Sequence, residues 1–203
     1  MKTPRAHVLL LSLFVFSGIL LFGVPEAIRA QQGPEEGGHE LEIWSGGGYG
    51  VKGVAQHTGV WETGVRYGWI LTSPHGPGFL RGRFEYAVDL VPLFLVFQPG
   101  STAHGVALNP LGLKWDFDTH RRIVPYAELS GGSLFTNNQV PTGTSRINFA
   151  SSGGIGLHFL TGKVTWSTDV RFMHISNSGI SALNPGINTV QLRLGVGWFT
   201  RGR

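Results

Sequence analysis

His174 and Ser176 lie two residues apart near the C-terminal end of the chain, and Asn177 follows directly. Side chains at positions i and i+2 of an extended strand project from the same face of that strand. An imidazole beside a serine hydroxyl can act as the general base that activates a serine nucleophile. The spacing therefore indicates serine esterase chemistry, in which an acyl group passes to Ser176 and is then hydrolysed.

The segment that precedes this pair alternates between apolar and charged side chains. Asp169 and Arg171 hold odd-numbered positions, whereas the even-numbered positions are apolar. The apolar set consists of Val164, Trp166, Val170 and Phe172. Because the side-chain period of a strand is two residues, His174 and Ser176 continue the apolar face. We expect both to project from the same wall as the hydrophobic side chains.

Asn188 is a candidate third member of the site. The final apolar run, residues 187–199, carries Leu192 and Leu194 on the even parity that Asn188 shares. If the last two strands pair around a loop centred near Ser181, Asn188 lies opposite His174, with Cβ atoms about 5 Å apart. Its amide carbonyl could then fix the tautomer of the imidazole, as asparagine does in papain-like enzymes.

An esterase also needs donors for the oxyanion of its tetrahedral intermediate. Asn177 follows Ser176 directly, and a turn that contains Gly179 comes next. The Asn177 side chain or the backbone N–H groups of that turn could supply these donors. No His, Cys, Asp or Glu cluster has the sequence spacing of a metal site, and no phosphate-binding fingerprint is present. We therefore predict a reaction that uses neither a metal nor an organic cofactor.

The elements that would position these residues are strands. Period-two alternation recurs between turn-rich segments such as Gln98-Pro99-Gly100-Ser101, and glycine accounts for 31 of 203 residues. Eight strands fit, roughly at 40–51, 57–72, 79–96, 104–117, 122–134, 146–160, 163–177 and 187–199. This pattern predicts an all-β chain that folds as one eight-stranded antiparallel barrel.

The two faces of the second predicted strand indicate what surrounds the barrel. One parity carries Trp61, Tyr67 and Trp69, and the other carries Glu62 and Arg66. Charges of both signs on one face suit ion pairs in a narrow lumen, and aromatic residues on the other suit contact with lipid. We therefore predict a transmembrane barrel whose apolar face points outward. A soluble lipocalin-like barrel, with the apolar face inside, is the structural alternative.

The N-terminal residues predict export. Lys2 and Arg5 precede an apolar run from Val8 to Val24, and Ala27-Ile28-Arg29-Ala30 offers a small-residue cleavage site. We predict a signal peptide over residues 1–30 and a single barrel domain over residues 31–203. The net charge of +4 comes with no basic cluster, so nucleic acid is an improbable partner class.

The residues around the pair also resemble a known family. The stretch Phe172-Met173-His174-Ile175-Ser176-Asn177-Ser178-Gly179-Ile180, followed by Asn184-Pro185-Gly186, is similar to the PagL family of lipid A 3-O-deacylases. Members of that family are eight-stranded outer-membrane barrels with a His-x-Ser-Asn motif on the seventh strand. The resemblance extends to Asn109-Pro110-Leu111-Gly112-Leu113-Lys114-Trp115 and to Pro125-Tyr126-Ala127-Glu128-Leu129.

The resemblance implies a set of roles. The family's base matches His174, its nucleophile matches Ser176, and its oxyanion group matches Asn177 with the following turn. The family's third member is a glutamate, and the matching position here is Asn188. The implied reaction is hydrolysis of the ester at position 3 of lipid A, without a metal or organic cofactor.

These implications set the expected location, partner and alternatives. We expect the chain in the bacterial outer membrane, embedded next to lipopolysaccharide of the outer leaflet, with a homodimer left open. The alternative functions are a non-catalytic structural or adhesion barrel and a soluble lumen-binding carrier.

Overall fold

The computed structural model describes residues 33–51, 57–162 and 164–202. The predicted signal peptide over residues 1–30 lies outside the described residues. In the part that is described, no helix is long and apolar enough to cross a membrane.

Eight antiparallel strands form one closed barrel in which each strand pairs with its neighbours in sequence, and the last strand pairs with the first. The strands are β1 His39–Gly50, β2 Gly59–Ile70, β3 Gly82–Gln98, β4 Ser101–Phe117, β5 Ile123–Thr136, β6 Ile147–Leu160, β7 Thr165–Ser176 and β8 Ile187–Phe199. The predicted eight-stranded antiparallel barrel is confirmed. One boundary differs notably, because Gly78–Leu80 forms a 3₁₀ turn and β3 begins only at Gly82.

The two faces of the wall are oriented as the sequence predicts. In β2, Glu62 and Arg66 are buried in the interior, whereas Val65 and Tyr67 are 42% and 37% exposed on the outer wall. The same alternation holds in β7 and β8. The lipocalin-like alternative is wrong, because it requires the opposite orientation.

β3 departs from strict alternation. Odd-numbered residues from Glu85 to Val91 point inward, but further along the strand the even-numbered Phe94 and Val96 are at most 1% exposed, against 6% for Leu95 between them. The register against β4 shifts between Val91 and Phe94, which marks an extra residue in β3. Such a bulge moves the following residues to the opposite face of the strand. A largely apolar strand thereby places side chains both inside the barrel and on its outer face.

The interior of the barrel has two chemically different halves. The half near the chain ends contains ion pairs, among them Arg66 with Asp89 at 2.9 Å and Arg193 with Asp169 at 2.7 Å. The half near the β7–β8 loop is an apolar core. It contains Trp44, Val60, Val91, Phe94, Val96, Ala103, Ala107, Leu134, Val140, Ala150, Met173, Ile175 and Ile187.

Candidate active site

The residues predicted to do chemistry lie together where β7 ends and β8 begins. His174 is the third residue from the end of β7, Ser176 is its last residue, and Asn188 is the second residue of β8. All three are half-buried on the outer wall, while the intervening Ile175 is fully buried inside. The predicted outward parity of the three side chains is therefore what the structure shows.

The strand register brings His174 and Asn188 into direct contact. The two are cross-strand partners, and His174 Nδ1 lies 2.7 Å from Asn188 Oδ1. Because a carbonyl oxygen can only accept, this contact places the proton of a neutral imidazole on Nδ1. The lone pair is then on Nε2, the nitrogen that a general base needs to be free.

Gly186 supports the imidazole from the β7–β8 loop. A Cβ built at position 186 would lie 2.8 Å from His174 Cε1, so any side chain there would displace the ring. Gly186 also has a φ of +68°, a backbone conformation that L-residues adopt only at a cost. The sequence contains this glycine in its Asn-Pro-Gly segment, but nothing in the local pattern reveals its contact with the imidazole.

Asn177 builds the turn after the serine. Its side chain is 1% exposed, and its Nδ2 donates to Ser181 Oγ at 2.9 Å and to the Leu183 carbonyl at 2.8 Å. Its Oδ1 accepts the Gly179 N–H at 2.9 Å. These bonds engage both Asn177 and Gly179 in the turn that follows Ser176.

A second asparagine stabilises the same turn, because Asn184 Oδ1 accepts the backbone N–H of Asn177 at 3.0 Å. Ser178, at the apex, has a φ of +51°, which is unusual for a residue with a side chain. Strained residues of this kind concentrate at functional sites, where the surrounding structure must hold them in place.

Two serines flank the imidazole on the outer wall. Ser176 is on the same strand as His174, and its hydroxyl makes no hydrogen bond to the imidazole in this structure. Catalytic hydrogen bonds are often long without substrate and tighten when substrate binds. Ser151 of β6 is the cross-strand partner of His174 on its other side and is exposed. The sequence reasoning missed Ser151, because it considered only strands β7 and β8.

Apolar side chains surround the polar group. Phe149 of β6 pairs with Ser176, while Phe172 and Val190 pair with each other just below His174. These three side chains are 40–47% exposed on the outer wall. A polar group within an apolar surface suits a substrate that has a polar head and a long acyl chain.

Groups able to hold a metal lie in the interior, away from this site. Three ligand atoms lie within 4.8 Å of one another, one each from Glu40, Glu42 and His158. They come from β1 and β6, so no short sequence spacing reveals them. None of the three contacts His174 or Ser176 among the contacts between described residues.

Comparison with family models finds a match to the lipid A 3-O-deacylase (PagL) model over residues 53–197, which is more than half of the chain. The chain belongs to the PagL family. Its members are lipid A 3-O-deacylases, which are ester hydrolases. The predicted family is confirmed, and membership of a family that acts on lipid A indicates the bacterial outer membrane as the location.

Solved structures agree with the PagL family on the fold. The outer membrane enzyme PagL matches with a TM-score of 0.59 and 21% identity, covering 76% of this chain and 97% of that one. OprG from Pseudomonas aeruginosa matches with a TM-score of 0.55 and 12% identity, covering 85% and 100%. Neisserial surface protein A matches at 0.53 and 12%, covering 80% and 97%. A comparison with curated protein sequences finds no match.

Proposed function

We propose that the protein is a serine esterase that removes the 3-O-linked acyl chain of lipid A with a site on its lipid-facing wall. Ser176 is the nucleophile, His174 the general base and Asn188 the group that orients the imidazole. The contact that supports this assignment best is the 2.7 Å separation of His174 Nδ1 and Asn188 Oδ1, since it leaves Nε2 free. Family membership supports the reaction and the substrate class.

The proposed reaction has two halves. Ser176 Oγ attacks the ester carbonyl carbon while His174 Nε2 takes the hydroxyl proton. The carbon–oxygen bond to the sugar then breaks, and His174 returns the proton to the sugar oxygen. A water molecule, deprotonated by the same nitrogen, attacks the acyl-serine ester; the bond to Ser176 Oγ breaks, His174 returns the proton to that oxygen, and a fatty acid is released. The products are that fatty acid and lipid A with a free hydroxyl at position 3.

The turn after Ser176 is assigned to the oxyanion. Gly179 N–H and the Asn177 amide bond to each other, so their proposed role is to hold the turn in shape. Ser178 lies between these two residues in the sequence, and its backbone N–H makes no hydrogen bond to a described residue. This N–H is the proposed donor to the oxyanion. A donor held in place before the reaction stabilises developing negative charge without a reorganisation cost.

The orientation of the barrel follows from export and strand count. We propose that residues 1–30 are a signal peptide and that both ends of the barrel face the periplasm. The β7–β8 loop then lies on the extracellular side, and the site faces the outer leaflet, where lipopolysaccharide is the ester-bearing lipid. The apolar side chains of Phe149 and Phe172 would contact its acyl chains.

The test is lipid A mass spectrometry from a Gram-negative host that expresses the protein. We expect wild type to remove one ester-linked acyl chain and Ser176→Ala to leave lipid A unmodified. Ser151→Ala is the matched control, because it removes the other serine hydroxyl next to His174. Heat-dependent gel migration would show that each variant is a folded barrel. Two results would overturn the assignment. In one, the wild-type protein is folded in the membrane and lipid A stays unmodified. In the other, Ser151→Ala is inactive and Ser176→Ala is active.

A further inference from the structure

The interior of the barrel holds more buried acids than bases. Among the described residues, eight carboxylates are at most 5% exposed, whereas four basic side chains are buried to a comparable degree. The acids are Glu40, Glu42, Glu62, Glu85, Asp89, Asp116, Glu128 and Asp169, and the bases are Arg66, Lys114, Arg171 and Arg193. A buried carboxylate is costly as an anion, so each acid in excess must be protonated or paired with a further cation.

The imbalance is concentrated at the end of the barrel near the chain ends. In the middle, three arginines pair with Asp89, Glu128 and Asp169. At the end, one ammonium group, Lys114 Nζ, donates to Glu40 Oε2 at 2.8 Å and to Glu85 Oε2 at 3.3 Å. Glu40, Glu85 and Asp116 each lie within 4.0 Å of Lys114 Nζ, and Glu40 also lies 4.0 Å from Arg66.

His158 points into this acidic group without a hydrogen-bond partner. It is 1% exposed, and neither ring nitrogen makes a hydrogen bond to a described residue. Both carboxylate oxygens of Asp116, which is fully buried, are likewise without one. Buried polar atoms of this kind normally bond to protein, water or an ion.

The distances around His158 Nε2 match those between the ligands of a bound metal. Nε2 lies 3.5 Å from Glu40 Oε1 and 3.7 Å from Asp116 Oδ1, both too long for a hydrogen bond. Ligands about 2.1 Å from a tetrahedral Zn²⁺ lie about 3.4 Å from one another. A Glu42 oxygen is within 4.8 Å of the ligand atoms of Glu40 and His158.

The surroundings hold these ligands rigidly. The imidazole of His158 stacks on Tyr126 at 4.5 Å between ring centroids and meets the edge of Phe199 at 5.3 Å. Glu42 accepts a hydrogen bond from Ser167 Oγ, and a Cβ at Gly195 would collide with both groups. Ligands fixed by packing and by hydrogen bonds from outside the coordination shell are typical of protein metal sites.

We propose that Glu40, Glu42 and His158 bind one divalent transition-metal cation of the Zn²⁺ type inside the barrel. One imidazole with carboxylates is a donor set that such ions accept. The cation adds positive charge to the acids around Lys114 and links β1 and β6 across the lumen. It takes no part in ester hydrolysis, because the site lies at the opposite end of the barrel from His174.

The test measures metal bound to protein purified from outer membranes in detergent without chelators. We expect about one Zn²⁺ or similar ion per chain by mass spectrometry of the elements. His158→Gln and Glu42→Gln should each lower the bound metal at least about tenfold. His104→Gln, at an exposed position of β4, should leave the metal content unchanged.

Cobalt provides a second measurement that does not depend on which ion the host supplies. Wild-type protein refolded in detergent with CoCl₂ should show the visible absorption of Co²⁺ bound to nitrogen and oxygen ligands, and His158→Gln should lack it. Gel migration identifies the folded fraction of every sample. Folded wild type with neither bound metal nor a cobalt spectrum would refute the site and leave water as the group between these ligands. Equal metal content in wild type and folded His158→Gln would refute it as well.

Discussion

The two ends of the barrel place polar side chains on opposite sides of its wall. Near the chain ends, charged residues fill the interior; Arg193, for example, contacts both Asp169 at 2.7 Å and Glu128 at 3.1 Å. Near the β7–β8 loop the interior is mainly apolar, with a few uncharged polar side chains such as Thr189 and Gln191, and the polar residues His174, Ser176 and Asn188 lie outside. The interior charges hold one another in place, whereas the outer polar group lies on the wall where the proposed substrate would bind.

The apolar interior below the site explains why the site is electrostatically isolated. Met173, Ile175 and Ile187 lie directly behind the polar group and are each at most 3% exposed. No buried carboxylate of the described residues contacts His174, so its orientation depends on a neutral amide. Variants at the site should therefore change turnover with little effect on stability, and variants of the interior charges should do the opposite.

The largest expected effect comes from removing the catalytic pair. Ser176→Ala and His174→Ala should each lower lipid A deacylation by at least about 10⁴-fold, because residues that act as a unit cannot compensate for each other. The double variant should lose little more than either single variant. Rates are measured on purified lipid A in detergent, with thermal unfolding as the control for stability. If the fold-losses of the two single variants multiply in the double variant, Ser176 and His174 do not act as one unit.

The opposite effect is expected inside the barrel. Arg193→Met should lower the free energy of unfolding by about 3–5 kcal/mol, since it leaves Asp169 and Glu128 short of a buried partner. It also removes a guanidinium centred 5.0 Å from the Trp44 ring. Denaturant unfolding from detergent measures the change. The folded fraction should deacylate lipid A at the wild-type rate, and a large loss of rate there would show that the two regions are coupled.

An intermediate effect is expected from Gly186→Ala. The new Cβ would lie 2.8 Å from His174 Cε1, so the imidazole must move away from Asn188. We expect about 10- to 100-fold lower kcat, because a displacement of about 1 Å can have that effect on a positioned group. Gly100→Ala is the matched control, since Gly100 has a φ of +80° and nothing within 4 Å of its Cβ position. If both variants lose activity equally, backbone strain is the cause and the contact with His174 is not.

The smallest expected effects are at Asn188. Asn188→Ala should lower deacylation about fivefold, which corresponds to one neutral hydrogen bond of about 1 kcal/mol. Asn188→Glu should be at least as active as wild type, because a carboxylate also stabilises the imidazolium that forms during the reaction. The measurement is kcat on lipid A for both variants. A large loss in Asn188→Glu would mean that the neutral amide has a role other than orienting the ring.

The outward site was predictable because it depends on alternation and register alone. The parity of Asp169 and Arg171 against Phe172 assigns His174 to the outer wall, and a short loop fixes its pairing with Asn188. Features that depend on an extra residue or on distant strands were not predictable. The bulge between Val91 and Phe94 lies in an unbroken apolar run that conceals the change of face.

Contacts between strands that are distant in sequence were equally hidden. Ser151 reaches His174 only because β6 and β7 pair in one particular register. Glu40 and His158 approach each other only because the barrel closes, which brings β1 across the lumen from β6. In both cases the sequence shows the residue types but not the distance between them.

The outward direction of His174 and Ser176 also determines how a substrate reaches them. A site on the outer wall has no mouth that opens to water, so lipid A would arrive by lateral diffusion within its own leaflet. The relevant concentration is then the number of substrate lipids per unit area of membrane. Diluting a cell suspension should leave the rate per cell unchanged, whereas mixing an inert lipid into the same leaflet should slow it.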